Sequence, residues 1–320
     1  PTGSFSAGER AKFIEFAKGQ YEYLKKHPYW NSLKLVIFTP AGEWRKYSLG
    51  SNSFAADWIA LIKDLRAAIP DRKVWIAFNF SDSAAFEQDK ANNWNAPTYE
   101  ALCNIPGVVG DRHYYRPSRS DVHSVLNAGL LEEPFMAVSP NQWSAKSTRP
   151  CPFIVKEFAV SGAKGGDRRN KTWNYPWFVA MGFMDLLRSS MRSGALVNMA
   201  WQWMPEDIPN EWPYGLTTPD GRLQPAAVAL SSITPILHGQ LSGFPEDREI
   251  RCVTTKNGRD FGMWCGNFSQ QARTLTVRAA GGKLGPAKLT RLVDSKFSAD
   301  TWNGQTPVAF KPLEMIRFDF

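Results

Sequence analysis

Two glutamates stand where apolar runs end. Glu43 follows the run Leu35 to Thr39 and sits in Ala41-Gly42-Glu43-Trp44-Arg45, beside an indole and a guanidinium. Glu157 lies near the end of a second run, FIVKEFAVSG, from Phe153 to Gly162. Carboxylates are rare in apolar strands unless they have a partner or a task. Two carboxylates flanking one bond divide a reaction between them: one protonates the leaving oxygen while the other attacks carbon. An indole wall of the kind Trp44 supplies favours the neutral carboxyl, the state a general acid needs.

Other runs end in the same manner. KVWIAFNF (Lys73 to Phe80) closes on Asn79, with Asp82 just beyond, and GVVGDRHYY closes on His113, Tyr114 and Tyr115. ALVNMAWQW (Ala195 to Trp203) closes on Trp201 and Trp203. A phenol can hydrogen-bond a nucleophilic carboxylate, and flat indoles stack on the apolar faces of sugar rings. Paired carboxylates over an aromatic floor are the apparatus of glycoside hydrolysis. Each residue also has a plainer reading. Glu157 pairs with Lys156 or an arginine, Glu43 with Arg45, His113 is a core histidine, and the tryptophans only pack. Asn79 and Asp82 cap the turn that follows them.

These groups meet only if the intervening elements align their strands. Ser6 to Glu9 reads as a capping box. Phe13, Phe16, Ala17, Tyr21 and Leu24 then recur at helical spacing and predict one buried face. A second helix carries Trp58, Ile62 and Leu65, a third Trp177, Met181 and Met184, and Gln224-Pro225 opens a fourth that runs through Ile236. Strands fall near residues 36, 76, 110, 155 and 198. Strand followed by helix, repeated, predicts a parallel sheet. In a (β/α) barrel the chemistry sits at the C-terminal strand ends, where the polar and aromatic residues fall here. From about Ser242 the period changes to short alternating runs: EIRCVTT, DFGMWCGN, RTLTVRA, AKLTRLVD, TPVAF and EMIRFDF. They predict an antiparallel β-sandwich. The expected division is a barrel portion carrying the active site over 1–241 and a sandwich over 242–320.

Composition narrows the classes. No apolar run approaches the length of a membrane span. The net charge of +8 suits an anionic partner, but no Lys/Arg block or zinc-finger spacing supports nucleic acid. Arg45, Arg112, Arg116, Arg168 and Arg169 lean instead toward an acidic glycan. Thirteen tryptophans suit a protein that stacks flat ligands as well as one with an aromatic core. The four cysteines have no metal-ligand spacing, and no metal or cofactor is expected. Cys252 and Cys265 flank a segment whose Asn257-Gly258 signals a tight hairpin, so they are placed to face each other. Cys103 with Cys151 would be the other pair; four buried thiols is the alternative. Asn79, Asn170 and Asn267 each begin an Asn-x-Ser/Thr sequon.

The order of these residues resembles clan A of the retaining glycoside hydrolases. In that clan an acid/base Glu closes barrel strand 4, a His-x-Tyr-like group strand 6, a nucleophile Glu strand 7 within a TEFG-like run, and a Trp strand 8. Glu43, His113 to Tyr115, Glu157 in KEFA and Trp201 fall in that order. GLTTPDGRLQPAAVAL is similar to the clan's passage into the last barrel helix, and the tail ending EMIRFDF resembles the sandwiches of heparanase-like, arabinofuranosidase-like and xylosidase-like families. The residue before Glu43 is Gly42, where the clan has Asn. The resemblance implies a (β/α)8 TIM barrel, strands 4 to 8 of it in this chain, with a C-terminal antiparallel β-sandwich. It implies Glu43 as acid/base and Glu157 as nucleophile. Trp44, Asn79, His113, Tyr114, Tyr115, Trp201 and Trp203 would bind substrate. Strands 1 to 3 would come from an N-terminal companion chain or segment, as in the two-chain heparanase-like enzymes. A secreted, periplasmic or lysosome-like location follows. The alternative is an inactive carbohydrate-binding or structural protein on the same scaffold.

Overall fold

The computed structural model describes residues 7–40, 52–81, 101–117, 152–161, 176–192, 194–200, 216–218, 220–247, 249–258, 260–278 and 284–320. The chain divides into two compact units. The first holds the sheet of the expected barrel as far as Tyr114 and Glu157; the second runs through to Phe320.

The first unit is built on a five-stranded parallel sheet in the order β1-β2-β3-β4-β5. The strands are β1 Val36–Phe38, β2 Val74–Ser81, β3 Val108–Pro117, β4 Phe153–Ser161 and β5 Asn198–Ala200. All five lie where the apolar runs predict them. On one face, Val74, Ile76, Phe78 and Val108 are buried beneath Trp58, Leu61, Ile62 and Leu65 of helix α2 (Asn52–Ala68) and Ala17 of helix α1 (Ala7–Lys25). On the other, Ala77, Val109 and Ile154 pack with Ile37, Trp75 and Val197, one residue or more from each strand or its lead-in. Apolar side chains on both faces are what a parallel sheet requires. Lys73 fastens the entry to β2: its ammonium donates to the Trp30 carbonyl at 2.6 Å and lies 4.0 Å from the Trp30 ring centroid.

The buried face of α1 differs from the expected one. Phe13, Ile14, Ala17 and Tyr21 pack inward, whereas Phe16 and Leu24 are exposed. An apolar residue at helical spacing is buried only if a neighbouring element reaches it.

The second unit carries the sandwich. A seven-stranded antiparallel sheet has the order β12-β11-β14-β9-β8-β6, with β7 also on β8, and faces a two-stranded layer, β10-β13. Its strands are β6 Gln240–Gly243, β7 Glu246–Asp247, β8 Ile250–Asn257, β9 Asp260–Asn267, β10 Arg273–Leu275, β11 Ala287–Val293, β12 Lys296–Trp302, β13 Val308–Phe310 and β14 Met315–Asp319. Ile250, Cys252, Met263, Cys265, Leu289, Ile316 and Phe318 of the large sheet bury against Val308 and Phe310 of the small one. Cys252 and Cys265 are directly opposed in the β8/β9 register and form a disulfide, and Gly258 turns the hairpin at φ +61°. Cys103 is also disulfide-bonded; Cys151, its expected partner, lies outside the described residues. Asn267 is fully buried, with its amide donating to the Gln271 and Lys311 carbonyls, so that sequon is structural.

Helices α3 (Pro176–Arg192) and α4 (Pro225–Ile233) belong to this unit. Trp177 Nε1 donates to the Leu313 carbonyl, and Trp264 Nε1 to Ser232 Oγ. Arg188 is fully buried; it donates to the carbonyls of Cys252 and Phe244 and pairs with Glu246 at 3.1 Å. Among the described residues no helix is long and apolar enough to cross a membrane.

Candidate active site

Each strand positions its candidates through its own direction. β1 to β5 rise together, so their C-terminal ends lie along one edge of the sheet. β2 carries Asn79, level with Asp111 of β3, and Ser81 is level with His113. Tyr114 and Tyr115 follow on β3. Gly110 donates its N–H to the Pro152 carbonyl at 3.0 Å. The parallel offset that this bond sets, carried along the strands, brings Tyr114 level with Glu157 of β4. The backbone thus brings Asn79, His113, Tyr114 and Glu157 to adjoining strand ends. Their side chains, and that of Tyr115, lie outside the described residues. So do Glu43 and Trp44, which follow β1, and Trp201 and Trp203, which follow β5.

One residue at this end escaped the sequence reading. Asp111 is fully buried on β3, level with Asn79 and two positions before His113. Its signal was there: a carboxylate inside the apolar start of GVVGDRHYY. This buried carboxylate lies one layer beneath the strand ends that carry the candidates.

Within GLTTPDGRLQPAAVAL, the described residues before α4 make local contacts. Thr217 bridges Leu223, Gly221 takes φ +83°, and the Thr218 hydroxyl donates to Asp220, which also pairs with Arg222. These contacts hold the Asp220 carboxyl below its ordinary range, with the Thr218 hydrogen bond the largest cause. Among the described residues no group of three or more His, Cys, Asp or Glu is placed to hold a metal ion.

No family model matches the sequence, and no curated protein matches it. Solved structures do match in fold. The GH51 α-L-arabinofuranosidase of Thermotoga petrophila RKU-1 superposes with a TM-score of 0.69 at 14% identity, over 99% of this chain and 74% of that one. The GH39 β-xylosidase of Caulobacter crescentus gives 0.62 at 11% identity, over 97% and 72%. A GH30 endoxylanase of Clostridium papyrosolvens C71 gives 0.60 at 12% identity, over 98% and 72%. The chain therefore has the fold of these clan A glycoside hydrolases, with the barrel present in part, as a five-stranded parallel sheet, and antiparallel sheets after it.

Proposed function

We propose that this chain supplies the catalytic half of a retaining glycoside hydrolase barrel. One observation carries the reading: five parallel strands, in chain order and in the fold of arabinofuranosidase, xylosidase and xylanase structures, present Asn79, His113, Tyr114 and Glu157 at adjoining C-terminal ends. Glu157 attacks the anomeric carbon and Glu43 protonates the leaving oxygen, then activates water for the second displacement. Tyr114 or Tyr115 orients the Glu157 carboxylate. Trp44, Trp201 and Trp203 stack on sugar rings, and Asn79 and His113 bind hydroxyls. The net charge of +8 favours an anionic poly- or oligosaccharide. The disulfides suit an oxidising compartment outside the cytosol. A companion chain or segment would supply barrel strands 1 to 3, since β1 and β5 are the outer strands of the sheet among the described residues. The barrel portion ends near residue 241 and the sandwich begins at 242.

Gly42, standing where the clan has Asn, favours the second reading, an inactive protein that keeps the cleft for binding sugars. A 2-deoxy-2-fluoro glycoside panel separates the two. Covalent labelling mapped to Glu157, with retained product configuration by NMR, supports the enzyme. Glycan binding without label or turnover supports the binder, and an inverted product refutes the Glu43/Glu157 pairing.

A further inference from the structure

We propose that the sandwich holds a ligand site of its own: a cavity that takes the alkyl tail of a small single-chain amphiphile whose head carries both a cation and an anion. The site is independent of the glycosidase reading, and neither stands or falls with the other.

The two layers of the sandwich differ in width. Among the described residues, seven strands face two, so the small layer is too narrow to cover the whole inner face of the large sheet. A cavity of about 500 Å³ lies between β7, β8 and β9 on one side and β10 with its continuation to Arg278 on the other. All of its walls belong to the second unit.

The walls are apolar. Cys252 and Met263 are buried at the floor, and Phe261, Leu275, Val277 and Leu284 form the sides. Those four pack against the sandwich core yet are only half-buried, as side chains bordering an opening must be. The frame is fixed without a ligand: the Cys252–Cys265 disulfide joins β8 to β9, and the Phe261 ring lies 5.3 Å from that of Phe320. Volume, apolar lining and a pre-formed wall are the marks of a small-molecule site. Thr254 also lines the cavity, but its hydroxyl is committed, donating to the Gly243 carbonyl at 3.1 Å and accepting from Ser242 at 3.0 Å. A sugar placed here would turn its hydroxyls toward apolar walls, a cost that an alkyl chain avoids.

The charges at the rim select the head. Glu246 lies opposite Arg251 in the β7/β8 register and turns to the face of α3, where Arg188 and Arg192 hold it at 3.1 and 3.0 Å. Asp247 lies opposite Ile250, a core residue, and so sits on the cavity face. Arg278 stands on the other wall. Both are exposed, and neither has an ion-pair partner among the described residues. One apolar cavity is thus flanked by a carboxylate from one layer and a guanidinium from the other. A head with charges of both signs answers the two at once, whereas a head of one sign is repelled by one of them. A phosphocholine head has this pattern, and a guanidinium fork matches its phosphate.

The test titrates decylphosphocholine, below its micelle concentration, into the 320-residue chain by calorimetry. The expected result is 1:1 binding, about an order of magnitude tighter than octylphosphocholine, because each buried methylene contributes about fourfold. Val277→Trp fills the cavity from a half-buried position and should abolish binding while the thermal midpoint stays near the parent's. Asp247→Asn and Arg278→Gln change exposed side chains, so folding is unaffected; each should weaken decylphosphocholine about three- to fivefold, the scale of a partly exposed charge contact. Decyl maltoside and decanoate should bind the parent more weakly than decylphosphocholine. No binding at either chain length, or full binding by a folded Val277→Trp, overturns the site. Decyl maltoside or decanoate binding as tightly as decylphosphocholine, or charge variants that bind as the parent does, overturns the ligand class.

Discussion

Arg251 donates through one terminal nitrogen to both carboxylate oxygens of Asp185, at 2.6 and 2.7 Å, and both side chains are buried. Asp185 belongs to α3 and Arg251 to β8, so the pair ties a helix to the sandwich. Removing one partner leaves the other charge buried, at a cost of about 3–5 kcal/mol. Asp185→Ala and Arg251→Met are each expected to lower the unfolding free energy by that amount. The double variant Asp185→Leu/Arg251→Met should lose less than the sum. Strict additivity in urea melts would show that the pair is not coupled.

Glu157→Gln should fold as the parent does and lose turnover by roughly 10⁴–10⁶-fold, the scale seen when an acting nucleophile is removed. Glu157→Gly should regain part of its rate with azide. Near-normal turnover in Glu157→Gln would end the nucleophile assignment, whatever the far-UV spectrum shows.

Asp300 accepts the Thr301 N–H at 2.8 Å and pairs with Arg291 at 3.0 Å; these contacts, in that order, hold its carboxyl below the ordinary value. The folded state therefore favours the ionised form. That stabilisation is present above the ordinary carboxylate range, about pH 4, and is lost as pH falls through the lowered folded value. Asp300→Asn should destabilise at pH 6, and the gap from the parent should narrow as pH falls below the ordinary carboxylate range, about pH 4. A gap independent of pH would point to lost packing alone.

The Cys252–Cys265 bridge closes a short loop, 13 positions apart in sequence. Cys252→Ser/Cys265→Ser is expected to cost about 3 kcal/mol, the loop-closure scale for that length. A denaturant midpoint unmoved by the double substitution would mean that the β8/β9 hairpin holds its register without it.

If the substrate is anionic, its affinity should fall as salt rises, because screening shortens to about 8 Å at physiological ionic strength. Matched neutral and charged oligomers, titrated at low and high salt, check this. Equal binding throughout would remove the electrostatic case.

Periodicity alone carried the sequence a long way. The runs at Val36, Val74, Val108 and Phe153 alternate with helices because both faces of a parallel sheet are apolar, and that pattern is local. The change to period two near residue 242 likewise marks where the antiparallel strands begin. Local pattern was silent elsewhere. β12, with Lys296 to Thr301 all exposed, has no buried face to mark it as a strand; only its pairing with β11 makes it one. Phe16 and Leu24 fit the helical repeat as well as Ala17 does, yet stay exposed because no described element reaches them. Arg188 reads as a surface residue of α3, and is fully buried because the carbonyls of Phe244 and Cys252 come to it across the fold. Sequence spacing records what each element needs on its own; which neighbour meets that need is decided by long-range hydrogen bonds and packing, which leave no mark in local order.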